Sequence, residues 1–156
     1  MSGYEVGQYC VIEDDVTLGD GVKLCNFVHL RHGVVLHDGV EIRDHCWIGA
    51  GTVIGRGTRV SGMCSLTAGM TIGENCFIGP GVITMNDRKI VYPDPDKTFV
   101  PKTPHIGNSV KIGGGALILP GVVLNDKCIV GAGSVVTRDI PAGETWVGNP
   151  ARKMKT

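Results

Sequence analysis

The stretch Ile48–Thr84, IGAGTVIGRGTRVSGMCSLTAGMTIGENCFIGPGVIT, decides the fold because an aliphatic residue returns at every sixth position. The series reaches back to Val6 and forward to Ile78, which gives thirteen aliphatic residues without a break. It resumes out of phase at Ile106 and continues to Val136. A period of six is not the period of a helix, and a fixed internal repeat predicts a stacked architecture.

A second apolar or small residue stands two positions before nearly every member of the series, which is the spacing of side chains on one face of a strand. Each hexad is therefore predicted to be a short strand of about four residues with two inward side chains, followed by a corner. Three hexads close one coil, and stacked coils form a prism. Five cysteines occupy the inward position and are predicted to be buried, reduced thiols: Cys10, Cys46, Cys64, Cys76 and Cys128.

Composition limits the function classes. The 156 residues predict one domain, residues 1–156, and 24 glycines with 5% aromatic residues predict many turns around a thin core. Fifteen basic and fifteen acidic residues cancel, so neither a nucleic acid nor an anionic membrane is an expected partner. The first ten residues carry no basic segment followed by an apolar one, so we expect a soluble, cytoplasmic protein.

The hexads include IGAGTVIG, IGPGVI, ILPGVVL and VGAGSVVT, and they resemble the hexapeptide-repeat transferase superfamily over nearly the whole chain. This resemblance implies an all-β fold, a left-handed parallel β-helix of 18-residue coils that assembles as a homotrimer. The left-handed sense comes from the resemblance alone, because parallel crossovers are generally right-handed.

Stacking by eighteen sorts the outward residues onto three faces. One face is small and β-branched, which suits a neighbouring subunit: Thr17, Val35, Val53 and Thr71. A second is mostly charged and is expected to face solvent: Lys23, Glu41, Arg59 and Phe77. The third carries His29, Arg31 and Trp47 and leads into a segment without hexads, residues 85–104. A long irregular segment is usually functional, and Ile90, Val91, Tyr92, Phe99 and Val100 are expected to bury part of it.

The C-terminal segment, which includes a tail at residues 140–156, resembles the acyl-CoA-binding end of these transferases. The resemblance implies acetyl-CoA as co-substrate, and the spacing of the five histidines gives no reason to expect a metal. Small residues would admit the pantetheine arm and basic residues would meet its phosphates. The candidate cofactor-binding residues are Gly113, Gly114, Gly115, Ala116, Ala132, Arg138, Pro150, Arg152 and Lys153.

The acceptor is indicated where the irregular segment begins. CFIGPGVITMND resembles the nucleotide-sugar 3-amino N-acetyltransferases, whereas hydroxyl-acetylating relatives resemble one another in placing a histidine base there. The resemblance implies N-acetylation of an amine, at C3 of a dTDP- or UDP-linked sugar, with Asn86 orienting the amine and Asp87 taking its proton late. The candidate substrate-binding residues are His29, Arg31, Trp47 and Arg88. The relatives usually continue with a Pro-Arg pair where this chain has Arg88 and Lys89, which leaves the sugar nucleotide open.

Three alternatives remain at this stage. The first is O-acetylation of a small sugar. The second is a γ-class carbonic anhydrase-like zinc protein, because His32 and His37 have the spacing of one ligand pair of that class, although no third histidine fits. The third is a non-enzymatic assembly subunit, which would not bind coenzyme A.

Overall fold

The computed structural model describes residues 3–88, 98 and 100–155, and these residues form 22 strands and no helix. Most strands have two residues, shorter than the four expected, because the corners take the rest of each hexad. The strands are β1 Glu5–Val6, β2 Val11–Ile12, β3 Thr17–Leu18, β4 Lys23–Leu24, β5 His29–Leu30, β6 Val35–Leu36, β7 Glu41–Ile42, β8 Trp47–Ile48, β9 Val53–Ile54, β10 Arg59–Val60, β11 Ser65–Leu66, β12 Thr71–Ile72, β13 Phe77–Ile78, β14 Ile83–Thr84, β15 His105–Ile106, β16 Lys111–Ile112, β17 Leu117–Ile118, β18 Val123–Leu124, β19 Ile129–Val130, β20 Val135–Val136, β21 Thr145–Val147 and β22 Arg152–Lys153.

Three parallel sheets form the sides of a left-handed β-helix of about seven coils, which confirms the predicted fold class. Every third strand belongs to the same side. Sheet A runs from β1 to β22, sheet B from β2 to β20 and sheet C from β3 to β18. The register steps by eighteen residues, so His29, Trp47 and Ser65 lie side by side on sheet B. The three predicted faces are therefore the outer surfaces of the three sheets.

The aliphatic series fills the interior. Its members from Leu30 onward have at most about 1% of their surface exposed, and Cys46, Cys64, Cys76 and Cys128 are buried beside them. Burying each large aliphatic side chain contributes about 2 kcal/mol. The first coil differs, because no coil lies beneath it: Val6 and Ile12 are 43% and 41% exposed, and Cys10 is only half-buried. All six cysteines carry free thiols.

The corners between the sheets need left-handed backbone. Glycine supplies it at Gly81, Gly115 and Gly133, on the corner between sheets A and B. In the first three coils the same corner instead carries Tyr9, Phe27 and His45 at φ of 57–59°. Their rings stack at centroid distances of 5.0 and 4.7 Å, and this stacking offsets part of the backbone strain.

The irregular segment is an insertion between two coils that otherwise stack normally. His105 of β15 pairs with Thr71 of β12, a step of 34 residues instead of 18, so sixteen residues are inserted. The amide of Lys102 donates to the carbonyl of Asn86 at 2.9 Å and closes the base of the insertion. Val100 is 74% exposed, contrary to expectation, and the expected burial of Ile90, Val91, Tyr92 and Phe99 lies outside the described residues.

The C-terminal tail continues the β-helix. β21 adds to sheet A in parallel, and β22 folds back on it antiparallel through a turn that contains the cis peptide bond Asn149–Pro150. In the described part of the chain no helix has the length and apolar character needed to cross a membrane.

Candidate functional site

A pocket of about 290 Å³ opens where the insertion leaves the β-helix, at the corner between sheets B and C. Its lining residues are Thr67, Thr84, Met85, Asn86 and Asp87. Asn86 is half-buried and Asp87 is exposed, and both line the pocket. The structure thus brings Asn86 and Asp87 together in one pocket. This arrangement can orient a polar group and accept a proton from it.

Two threonines of this pocket were missed by the sequence reasoning. Thr84 stands six residues after Ile78, in the aliphatic column, and only 5% of it is exposed. Its hydroxyl accepts the amide of Thr67 at 2.8 Å and donates to Met70 Sδ at 3.0 Å. The sequence signal was available, because a hydroxyl at an inward aliphatic position requires a hydrogen-bond partner inside the core.

His29 and Arg31 lie lower on the same corner and bind Glu13 of the first coil. His29 Nε2 lies 2.9 Å from Glu13 Oε1, and the amide of His32 donates to Glu13 Oε2 at 3.0 Å. Arg31 Nε lies 2.7 Å from Glu13 Oε1, but its N–H direction does not meet hydrogen-bond geometry, so this contact is an ion pair. The His29 contact, followed by Arg31, lowers the pKa of Glu13 from 4.5 to about 2.

Trp47 completes this lower cluster, with its ring centroid 5.9 Å from the Arg31 guanidinium carbon. Three coil steps separate His29 from Ile83, so at the strand spacing His29 lies about 14 Å below the level of Asn86. Trp47 is closer, because it lies one coil below the strand that leads to Thr67 of the pocket wall. The corner between them is lined by small residues, including Ala50 and Ala68. The pocket therefore shares a surface with His29, Arg31 and Trp47, but these three residues do not line it.

Arg88 lies above the pocket beside Lys102, another residue that the sequence reasoning missed. A Cβ atom built on Gly121 would lie 3.9 Å from Arg88 Nη2 and 3.5 Å from Lys102 Cβ. Arg138 belongs to the same corner one coil further on and is exposed. Arg138 therefore lies at the corner between sheets B and C, although it was predicted to act with the donor site at the corner between sheets A and B.

The glycine-rich part of the candidate donor site lies on the other edge of sheet B, at the corner with sheet A. Ala116 is fully buried, whereas Gly115 and Ala132 are exposed. Val82 and Ala116 are stacked neighbours, because they directly precede the paired strands β14 and β17. Asn86 lies four residues beyond Val82 along the strand direction, which places it about 13 Å from this stacked pair. One chain therefore does not bring the Gly113–Ala116 amides to Asn86.

The amide of Gly114 is one of the corner amides that have no side-chain cap. At five other corners the corresponding amide donates to an Asn or Asp side chain one coil further on, at 2.8–3.1 Å. The residue stacked on Gly114 is Ala132, which has no side-chain oxygen. This amide therefore has no Asn or Asp side-chain acceptor at its own corner.

The basic residues of the tail differ in their surroundings. Lys153 Nζ lies 2.7 Å from Glu144 Oε1, and the Trp146 ring N–H donates to Glu144 Oε2 at 2.8 Å. Lys153, and then Trp146, lower the pKa of Glu144. Arg152 and Pro150 are exposed, with Arg152 Nη1 donating to the carbonyl of Ala151 at 2.8 Å. Arg152 is thus better placed than Lys153 to bind a phosphate.

The zinc alternative finds no support in the arrangement of the histidines. His32 lies at the corner before β6 and His37 at the corner after it, on opposite edges of sheet C. Within residues 3–88, 98 and 100–155, no three His, Cys, Asp or Glu side chains are grouped so that they could hold a metal ion.

Two protein families match this chain. The family described as "GMPPB C-terminal domain" matches residues 2–97, and the family described as "Bacterial transferase hexapeptide (six repeats)" matches residues 103–138. The chain belongs to the GMPPB C-terminal domain family and to the hexapeptide-repeat transferase superfamily. This hexapeptide protein is also 46% identical to the galactoside O-acetyltransferase of Escherichia coli (strain K12) over 50 residues, 32% of this chain and 25% of that protein. It spans about a quarter of the length of the curated relatives it matches.

Two solved structures share the fold. A maltose O-acetyltransferase from Clostridium difficile 630 has 25% identity and a TM-score of 0.58, with 89% of this chain and 68% of that chain covered. The acetyltransferase VCA0836 of Vibrio cholerae, solved with acetyl coenzyme A, has 24% identity and a TM-score of 0.60, with 76% and 70% covered. The second likeness bears on the fold of this hexapeptide protein and not on its substrate.

Proposed function

We propose that this hexapeptide protein is an acetyl-CoA-dependent N-acetyltransferase that acts on an amino group, at C3, of a dTDP- or UDP-linked sugar. The observation that carries the proposal is the pocket at the base of the insertion, whose described lining residues offer a carboxamide and a carboxylate and no histidine. The histidine that shares its face, His29, lies three coils below the level of Asn86, about 14 Å at the strand spacing, and is bound to Glu13.

An amine acceptor needs no strong base. With a pKa near ~7.8, about one-seventh of such an amine is neutral at pH 7, at a cost of about 1.1 kcal/mol. The amine nitrogen attacks the thioester carbon, a C–N bond forms, the C–S bond breaks, and the proton lost by nitrogen ends on the sulfur of coenzyme A. Asn86 orients the amine, and Asp87 carries the proton between the two.

The donor half of the site is the glycine-rich corner between sheets A and B. The Gly114 amide, which lacks a side-chain cap, binds a carbonyl of the pantetheine arm, and a main-chain N–H of the Gly113–Ala116 stretch stabilises the oxyanion of the tetrahedral intermediate. The amides of Gly113 and Gly115 already donate to the carbonyls of Val130 and Pro80 at 2.8 Å, so this N–H belongs to Gly114 or Ala116. Because these amides and Asn86 lie on opposite edges of sheet B, we propose that they meet across subunits. A homotrimer of single-domain chains, residues 1–156, would complete each site from two neighbours.

O-acetylation is the second candidate, and the likeness to the maltose O-acetyltransferase favours it. That chemistry needs a base to take the proton of an alcohol. In the described part of this chain, a base for the pocket would have to be Asp87 or a side chain of a neighbouring subunit.

The deciding experiment is a free-thiol assay of the purified protein with acetyl-CoA and a panel of amino-sugar nucleotides, their hydroxyl counterparts and small sugars. We expect the rate with an amino sugar to rise with pH up to the pKa of the amine and then to level. Faster transfer to hydroxyl groups would replace the proposal by the second candidate. If calorimetry detects no coenzyme A binding, the result favours a non-enzymatic assembly subunit. If sedimentation shows a monomer, a site shared between two subunits is ruled out.

Replacing His29 by alanine should keep most of kcat, because His29 binds Glu13 and not the pocket. The measurement is kcat with the amino-sugar nucleotide, with trimer content and thermal midpoint as controls for folding. A His29→Ala variant that is folded and trimeric but inactive would show that this histidine is the base.

Replacing Arg152 and Lys153 together by alanine should raise the KM for acetyl-CoA about 5-fold and leave kcat nearly unchanged, because phosphate binding affects the ground and transition states alike. The two single variants refine this expectation. Arg152→Ala should account for most of the effect, since Lys153 is neutralised by Glu144. An unchanged KM in the double variant would place the phosphates elsewhere, with the Arg88 and Lys102 pair as the next position to replace.

A further inference from the structure

The hydrogen-bond ladder of sheet B follows one rule. The amide just after each strand donates to the main-chain carbonyl of the second residue of the strand one coil further on. Five steps obey it, with N···O distances of 2.8–3.1 Å: Glu13 to Leu30, Arg31 to Ile48, Gly49 to Leu66, Met85 to Ile118 and Leu119 to Val136.

The step at the pocket departs from this rule. The amide of Thr67 donates to the side-chain Oγ1 of Thr84 at 2.8 Å, in place of the Thr84 carbonyl. β11 and β14 consequently pair through Ser65 and Ile83 alone, whereas β8 and β11 pair through two residues. The hydroxyl takes over the ladder bond because it is fixed in the core by its own donation to Met70 Sδ.

This substitution has a consequence for the Thr84 carbonyl. It loses the ladder donor that its counterparts have, and Thr84 lines the pocket together with Asn86. A main-chain carbonyl removed from water needs a hydrogen-bond donor, and a ligand in the pocket can supply one.

We propose that the Thr84 carbonyl accepts one N–H of the acceptor amine while the Asn86 carboxamide oxygen accepts the other, which makes Thr84 a positioning residue. The inference rests on the proposed function and extends it to the choice of acceptor. A primary amine offers two N–H donors, and holding both fixes the direction of its lone pair. A hydroxyl offers one donor and leaves one of the two oxygens without a partner, so the pair of oxygens selects amines.

Thr84→Val tests the proposal, with Thr84→Ser as the matched control. Valine keeps the branched shape without Oγ1, so the Thr67 amide returns to the carbonyl and occupies it. We expect kcat for the amino sugar to fall about 10-fold, the KM for acetyl-CoA to stay unchanged and the thermal midpoint not to fall. Thr84→Ser keeps the hydroxyl and should keep kcat within about 2-fold.

A second readout does not depend on activity. In the isotope-labelled protein, the scalar coupling through the hydrogen bond from the Thr67 amide nitrogen to the Thr84 carbonyl carbon should be absent in the wild type and present in Thr84→Val. A wild type that shows this coupling, or an active wild type with unchanged kcat in Thr84→Val, overturns the inference and leaves the proposed function standing. A wild type that acetylates no amine overturns both.

Discussion

Asn86→Ala should lower kcat by about 100-fold, through loss of the orientation of the amine. Asn86 is half-buried in the wall of the pocket, and its main-chain carbonyl accepts the amide of Lys102 at 2.9 Å. This main-chain bond does not depend on the side chain, so the base of the insertion stays closed in the variant. The measurement is kcat with the amino-sugar nucleotide at saturating acetyl-CoA.

The matched control for this variant is Asn108→Ala. Asn108 lies at the corner between sheets C and A, where its side chain accepts the amide of Glu74 at 2.9 Å. Removing that cap should lower the thermal midpoint slightly and leave kcat within about 2-fold. Equal losses of kcat in both variants would mean that asparagine supports the β-helix in general, and that Asn86 has no special role in the pocket.

The period of six predicted the fold, because each aliphatic residue of the series has one place in a stacked coil. It also predicted which side chains share a face, since partners stand eighteen residues apart. Trp47 and Ser65 are adjacent on sheet B for this reason. The tail is different: its hairpin depends on β21 joining sheet A and on the turn before Arg152, and neither follows from a repeat.

The candidate site was only partly predictable, because its particular features are exceptions to the repeat. The sequence indicated Asn86 and Asp87 by their position at the start of the insertion. It placed Arg31 eighteen residues after Glu13, but a shared face does not show that the carboxylate neutralises the guanidinium. Thr84 was missed because the aliphatic series ends at Ile78, six residues before it. Its function in the ladder becomes visible only when six equivalent hydrogen bonds are compared.

Ala132→Asn should raise the KM for acetyl-CoA about 30-fold while it maintains or increases stability. At the other capped corners, a glycine usually precedes the capped amide, because an Asn or Asp oxygen lies 2.6 Å from the Cβ position at Gly19 and Gly73. Gly113 precedes Gly114 in the same way, so an asparagine at position 132 has room to cap the Gly114 amide. The pantetheine carbonyl would then lose one hydrogen bond and meet a carboxamide in the groove, together about 2 kcal/mol.

Glu74→Asn is the matched control, because Gly55 precedes the Arg56 amide as Gly113 precedes the Gly114 amide, so a carboxamide at position 74 has the same room at the corner between sheets C and A, away from the donor site. It should leave the KM for acetyl-CoA unchanged. The measurement is the KM for acetyl-CoA together with the thermal midpoint, and the two quantities separate the possible causes. A raised KM with an undiminished midpoint supports the Gly114 amide as a contact for coenzyme A, because a damaged fold would lower both activity and stability. An unchanged KM in a well-folded Ala132→Asn variant would place the pantetheine arm on another edge of the β-helix.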